Sequence, residues 1–194
     1  MSFGEIKNQL SKFRIGIAGA GGLGSNCAIA LARSGIGTLV ICDFDIIEAA
    51  NLNRQYYFAE QIGQLKITAL KNNILKINPA VKVVTCEDEL NRKNIPEIFQ
   101  GCDVIVEALD SPEMKEMFIE TVQLKMKGTP LIVGSGLAGW GKNESIKTRK
   151  IDDTLFLCGD ESTGASDDVP VLAPRVAIVA NMQANLVLEL LLNK

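Results

Sequence analysis

The chain has 194 residues, 47% of them hydrophobic and 22% charged, and a formal net charge of -3. That length suits one domain, 1–194, with a substantial core, and the acidic balance argues against a general nucleic-acid binder. No apolar run approaches the roughly 20 residues needed to span a bilayer, so no membrane is expected. The absence of histidine removes the commonest general base and any His-ligated metal. The five cysteines include no C-x-x-C pair and read as small core residues of a reduced, cytoplasmic protein. The opening "MSFGEIKNQLSKF" lacks the apolar centre of a signal peptide.

In chain order, residues 2–12 read as a short amphipathic helix with Phe3, Ile6 and Leu10 on one face. "RIGIAG" (14–19) is a strand, "GLGSNCAIALARSG" (22–35) a helix stopping at Gly35, and "GTLVICD" (37–43) a second strand. A helix over about 64–77 ends before Pro79, and "VKVVTCE" (81–87) is a third strand. A short helix near 93–99 precedes a fourth strand, "CDVIVEAL" (102–109). A helix near 112–126 leads to a fifth, "PLIVGSG" (130–136). "ESIKTRK" (144–150) alternates apolar with charged residues and suggests an edge strand, antiparallel to the rest. The acidic stretch 159–170 shows no periodicity and reads as a mobile loop, and "VAIVANMQANLVLELLL" (176–192) as an apolar closing helix. Apolar strands alternating with helices predict an α/β fold: a doubly wound, mostly parallel sheet with helices on both faces, Rossmann-like. Ligands in such sheets sit past the carboxyl ends of the strands.

"GAGGLG" (19–24) lies in that place, between the first strand and its helix. Gly19, Gly21 and Gly24 match G-x-G-x-x-G, where missing Cβ atoms and free helix N–H groups admit a phosphate; a purely structural turn is the alternative. Asp43 closes the second strand, where an acid accepts hydrogen bonds from ribose hydroxyls. A dinucleotide oxidoreductase would look the same so far. The stretch "DFDIIEAANLNRQYY" (43–57) then adds Arg54, followed by Lys66 after "EQIGQLK", and Asp110 follows the fourth strand. Two cations and an acid able to hold Mg²⁺ suit a triphosphate, ATP, better than a dinucleotide. The implied reaction is attack on the α-phosphate with loss of pyrophosphate.

"GAGGLGS", "DFDIIEAANLNRQYY", "IGQLK" and Asp110, in this order, resemble the ThiF/MoeB/HesA family, the ubiquitin-activating-type adenylyltransferases of sulfur-carrier proteins. The likeness runs over almost the whole chain, and the closing segment looks most like the compact ThiF-type proteins of thiamine biosynthesis. The resemblance implies that Gly19, Gly21, Gly22 and Gly24 line the nucleotide and that Asp43 binds its ribose. It implies that Asn51, Arg54 and Gln55 meet ATP, that Lys66 neutralises the β- and γ-phosphates, and that Asp110 holds Mg²⁺. The implied partner is a small ubiquitin-fold carrier ending in Gly-Gly, and the implied assembly a homodimer. A carboxylate is ionised at neutral pH and needs no base to attack, in keeping with a chain lacking histidine.

Departures accompany the resemblance. Only Cys158 stands where relatives carry the first of two C-x-x-C zinc pairs, with Leu155 at its partner position, so no zinc is expected. Ser166 stands near the cysteine that some relatives use for a covalent link to the carrier, which leaves no evident thiol for one. The N-terminal helix offers Lys7 and Lys12 but no arginine to reach a neighbouring subunit. Plainer readings stand beside the sharp ones. Arg54 fits an ion pair with Asp43 or Asp45. Asp45 fits a turn cap, and Asp110 or Ser111 the cap of the following helix. Cys158, with acidic neighbours, fits an inert thiol better than a nucleophile. Trp140, in "GLAGWGK", fits either the mouth of the site or a dimer contact.

Overall fold

The structure, a computed structural model, describes residues 1–193. A seven-stranded sheet runs in the order β3-β2-β1-β4-β5-β7-β6, from β1 (Arg14–Ala18), β2 (Thr38–Cys42), β3 (Lys82–Cys86), β4 (Val104–Glu107), β5 (Leu131–Gly134), β6 (Lys147–Lys150) and β7 (Leu155–Gly159). All neighbours pair in parallel except β6 with β7. The helices are α1 (Phe3–Leu10), α2 (Gly22–Ser34), α3 (Lys66–Ile77), α4 (Ile95–Ile98), α5 (Pro112–Lys125) and α6 (Ala173–Leu192). The doubly wound α/β sheet expected from the alternation is what is observed.

Alternation along the strands builds two cores. Leu39 and Ile41 join Ile15, Ile17 and Val106 under α1, α2, α3 and α6. Val40 and Cys42 face the other way, with Ile105, Leu131 and Val133, under α4 and α5. Period-two alternation sends successive side chains to opposite faces. Because both faces are covered, the strands read as continuous apolar runs. α2 stops at Gly35, whose φ of 98° is the left-handed conformation glycine adopts most readily.

Three expectations need correction. Phe3 does not share the buried face of α1: Leu10 is buried, whereas Phe3 is 68% exposed. The segment "LFLCG" forms a further strand, β7, beyond those expected, because a five-residue apolar run carries no period of its own. It separates β5 from the predicted antiparallel edge strand β6. Finally, α6 begins at Ala173, three residues early, since Pro174 fits a first helical turn, where no N–H partner is needed. At 20 residues α6 also has the length and hydropathy to cross a membrane, which the sequence reading did not grant it. It nevertheless packs against α2 and β5 and buries Arg175 and Gln183.

The order reverses between β1 and β4: from β1 the chain steps outward to β2 and β3, then returns to the other side. The crevice at this switch point opens past the ends of β1, β2 and β4.

Candidate functional site

A cavity of about 660 Å³ occupies this crevice. Its floor is the glycine turn. Gly19 adopts φ 97° and donates its N–H to the Cys42 carbonyl at 2.8 Å. A Cβ on Gly19 would lie 2.6 Å from the Ala108 carbonyl oxygen, and one on Gly24 only 1.9 Å from that of Gly19. These two glycines let β1, β4 and α2 converge. Gly24 accordingly does not line the cavity, contrary to expectation, whereas Gly19, Gly21 and Gly22 do. A Cβ on Gly21 would meet nothing nearer than Gln55 Nε2 at 3.7 Å. No side chain caps α2 at Gly21, so its first-turn N–H groups and positive dipole end remain available at the cavity wall.

The polar stretch 43–57 is fastened to this turn. Asp43 Oδ2 accepts the Ala20 N–H at 2.6 Å and Oδ1 that of Asp45 at 2.8 Å. Each oxygen keeps a further lone pair for a hydroxyl donor. Burial pushes the Asp43 carboxyl up, against the opposing pull of the Ala20 N–H and Lys66. The buried Tyr57 hydroxyl donates to the Ala20 carbonyl at 2.7 Å. Ser25 donates to the Gly21 carbonyl at 2.6 Å and accepts the Tyr56 N–H at 3.0 Å. Asn26 Nδ2 bridges the carbonyls of Gly22 and Arg54 at 2.7 and 3.0 Å. Ser25, Asn26 and Tyr57 were not singled out from the sequence, since hydroxyl and amide side chains on a helix and a turn carry no periodic signal.

Asn51 lies outside the cavity lining. Its Oδ1 accepts the Glu48 N–H at 2.9 Å, and its carbonyl accepts the N–H groups of Arg54 and Gln55. It shapes the 3₁₀ turn that presents those two residues. Arg54 lines the cavity and donates from Nη1 to Ala50 O at 3.2 Å and Asn53 Oδ1 at 2.8 Å. Among the described residues it forms no ion pair, which removes the pairing with Asp43 or Asp45. Gln55 is 8% exposed, lines the same cavity, and leaves its Oε1 without a partner. A buried acceptor left unsatisfied costs about 1–3 kcal/mol, and this one belongs to a residue of the cavity wall.

Lys66 opens α3, where a cation opposes the helix dipole. Asp45 compensates: its Oδ2 lies 2.6 Å from Lys66 Nζ, and its carbonyl accepts the Lys66 N–H at 2.9 Å. The carboxylate of Asp45 therefore does more than cap a turn. The lysine side chain is 8% exposed against 51% for the aspartate, and the ammonium keeps two further donors beside the cavity. Asp110 is exposed on the opposite rim. The hydroxyl of Ser111, not Asp110, caps α5 by accepting the Met114 N–H at 3.3 Å. Among the described residues no cluster of three or more metal-ligating side chains exists. A cation at Asp110 would therefore take its other ligands from phosphate oxygens and water, as Mg²⁺ commonly does.

The far half of the cavity holds features the sequence did not reveal. Small residues after β5, Ser135, Gly136 and Ala138, face Thr163, Gly164 and Ala165 of the crossover segment. Asp160 ties down the start of that segment, which otherwise has no regular structure, as expected. Its Oδ1 accepts the N–H groups of Ser162 and Thr163, and its Oδ2 the Thr163 hydroxyl. The same Oδ2 lies 2.6 Å from Arg175 Nη2 in an almost fully enclosed ion pair. Burial alone would raise the Asp160 carboxyl, but these N–H groups, the hydroxyl and Arg175 hold it down at about 2. Arg175 Nη1 also reaches the Gly141 carbonyl at 2.6 Å, pinning the loop on which Trp140 stands 69% exposed. Nearby, the enclosed Glu107 accepts from Lys115 Nζ at 2.5 Å, and that lysine also donates to Gly134 O at 3.0 Å. Cys158 is buried and outside the lining, with its thiol pushed up by burial, in keeping with an inert thiol. Ser166 is exposed, and its hydroxyl only closes a turn with Val169.

Comparison with known proteins bears on the family and the fold. The sequence model of the ThiF family matches residues 3–194. A curated relative, the adenylyltransferase and sulfurtransferase UBA4 of Saccharomyces cerevisiae, is 30% identical over 196 residues, covering 97% of this chain and 43% of its own. That of Aspergillus terreus is 34% identical over 140 residues, 72% of this chain and 28% of its own. The chain thus spans less than half the length of these relatives. Among solved structures, Escherichia coli tRNA N6-threonylcarbamoyladenosine dehydratase, TcdA, in complex with ATP superposes with a TM-score of 0.87 at 20% identity, over 97% of this chain and 89% of that one. Escherichia coli MccB superposes with a TM-score of 0.73 at 23% identity, over 96% and 58%.

Proposed function

Given that the chain belongs to the ThiF family, we propose that it adenylylates the C-terminal carboxylate of a small ubiquitin-fold sulfur carrier ending in Gly-Gly, using ATP and releasing pyrophosphate. One observation carries the reading. The glycine turn, Arg54, Gln55, Lys66 and Asp110 reach one cavity from separate segments, and all these polar groups are suited to nucleotide and phosphate. The residues fit the group: the turn carries no Cβ at Gly21 or Gly22, and among the described residues Gln55 Oε1 lacks a partner and Arg54 forms no ion pair.

When bound, ATP supplies an electrophilic phosphorus and a leaving pyrophosphate. The protein's part is placement and charge. Asp43 offers its free lone pairs to ribose hydroxyls. The Gly21–Gly22 turn brings backbone N–H groups against phosphate oxygens. Arg54 and Lys66 would offset the negative charge of the triphosphate, and Asp110 would hold the Mg²⁺ that accompanies it. Such preorganised charge is the main lever in phosphoryl-type transfer. No base is assigned, because a carboxylate nucleophile carries no proton at neutral pH. The carrier's Gly-Gly tail would enter beside Ser135, Gly136, Thr163 and Gly164, which line the far half of the same cavity.

The pathway is proposed as thiamine thiazole formation in the cytoplasm, with the enzyme acting as a homodimer. The names of the UBA4 relatives, which join adenylyl to sulfur transfer, support a sulfur carrier over other tails. ATP–pyrophosphate exchange by the purified chain, with a panel of carriers ending in Gly-Gly, tests this. Exchange is expected with one carrier only. ATP binding without exchange for any carrier would leave a nucleotide-binding protein whose substrate lies elsewhere. Asp110→Ala is expected to keep the fold and lose Mg²⁺-dependent exchange by roughly 10²-fold or more.

A further inference from the structure

We propose that Cys42 and Cys86 are a reversible thiol pair, which a low-molecular-weight disulfide such as oxidised glutathione closes into one intramolecular disulfide at the edge of the nucleotide cavity. The two residues are direct register partners in the parallel strands β2 and β3. Neighbouring strands lie about 4.8 Å apart, inside the roughly 4.4–6.8 Å that a disulfide needs between Cα atoms. Register partners project to the same face, and both thiols belong to the core under α4 and α5. Both also converge on one residue: Cys42 Sγ donates to the Asp88 carbonyl at 3.2 Å, and Cys86 Sγ to Asp88 Oδ2 at 3.5 Å. Access differs in a useful way. Cys86 is half-buried, while Cys42 is 1% exposed and lines the cavity. Cys27 and Cys158 are fully enclosed, and Cys102 is 7% exposed and precedes the paired residues of β4.

The chemistry follows from that asymmetry. The Cys86 thiolate attacks one sulfur of oxidised glutathione, forming a mixed disulfide and releasing one glutathione. Cys42 attacks Cys86 Sγ, the mixed-disulfide bond breaks, and the Cys42 proton ends on the departing second glutathione thiolate. The protein dithiol is oxidised by two electrons, and one small disulfide is reduced to two thiols. The half-buried Cys86 meets the small disulfide first, and the enclosed Cys42, its register partner, is left to resolve the adduct. Closing the pair takes Cys42 Sγ off the Asp88 carbonyl. Asp88, Glu89 and Leu90 form the cavity wall, and Asp43 follows Cys42 directly. The linkage is therefore expected to weaken nucleotide binding about tenfold, the scale of one lost hydrogen bond. That consequence rests on the proposed nucleotide site; the linkage itself does not.

The test incubates the reduced, folded chain with oxidised glutathione, traps free thiols by alkylation, and maps the peptides by mass. The expected result is a loss of the mass of two hydrogens, a single Cys42–Cys86 link, and reversal by dithiothreitol. Cys86→Ser is expected to show no link and to keep ATP affinity through the treatment. A stable glutathione adduct on Cys86 with Cys42 still alkylated, or no reaction in the folded chain, overturns the pair. A link that leaves ATP affinity unchanged overturns its effect on the cavity. If the reduced chain fails to bind ATP, the nucleotide reading falls while the linkage is still decided by mass.

Discussion

Gly21 and Gly24 belong to the same motif but have different tasks. At Gly24 a methyl group would sit 1.9 Å from the Gly19 carbonyl oxygen, and backbone cannot yield as a side chain tip can. Gly24→Ala is therefore expected to destabilise the chain by about 1–3 kcal/mol or more, visible as a lower urea midpoint. At Gly21 the nearest atom is 3.7 Å away, so Gly21→Ala is expected to keep its midpoint and to weaken ATP binding by placing a methyl group at the phosphate wall. If both variants melt like the parent and bind ATP like the parent, the turn is not a phosphate cradle. Lys66 presents a related division. Its contact with Asp45 is a pairing of an enclosed cation with a half-exposed acid, and the ammonium's remaining donors face the cavity. Lys66→Ala is expected to lower kcat/KM for exchange by roughly 10²-fold, and Asp45→Asn to have a smaller effect. The reverse ranking would make the lysine a structural partner of Asp45.

At the scale of elements, the crossover segment is held by one enclosed ion pair. Asp160 and Arg175 join the end of β7, the start of α6 and the Trp140 loop. Removing one member leaves the other charged and buried, which costs about 3–5 kcal/mol. Asp160→Asn is expected to fall toward the lower end of that range, because the amide keeps an acceptor for the Ser162 and Thr163 N–H groups. Proteolysis between residues 160 and 170 should quicken in the variant, and unchanged cleavage would mean the segment is held otherwise. The pH dependence follows from the lowered carboxyl. Its folded value of about 2 lies below the ordinary range for aspartate. Its contribution is therefore complete above that ordinary range and is lost as the pH falls toward 2. In an acid unfolding series, the parent and Asp160→Asn should converge over that window.

Over the whole molecule, α2 and α6 lie together on one face of the sheet, and their contact is the most extensive between helices. Ala28 and Ala32 on α2, with Ala180 and Ala184 on α6, are all at most 4% exposed in one cluster. Small side chains let two helices approach closely, and cores resist added volume. Ala28→Leu is expected to cost about 1–3 kcal/mol, read as a lower urea midpoint with an unchanged slope. No change would mean that the interface has slack. This contact seats the N-terminal turn of α6 beside the glycine turn, where Val176 meets Gly22 across the cavity floor.

The layered α/β fold, five of the six parallel strands, the antiparallel edge and the glycine turn are legible in the order of residues alone. These are local matters: an apolar run, a helical period or a glycine signature lies within one short window. The sequence also pointed to Arg54, Gln55, Lys66 and Asp110, which the fold brings to one cavity with Asp43 and the glycine turn. How these residues are divided among tasks emerges only from the folded arrangement. Gly24 serves packing, Asn51 shapes a turn, Asp45 answers Lys66, and Ser111 caps α5 in place of Asp110. That arrangement alone placed Cys42 against Cys86, Asp160 against Arg175, and the glycine turn under Ser25 and Tyr57. The reason is distance along the chain. Cys42 and Cys86 are 44 positions apart, and Tyr57 reaches back 37 to Ala20. No local pattern records such pairings, because partner choice is made by strand order and helix seating.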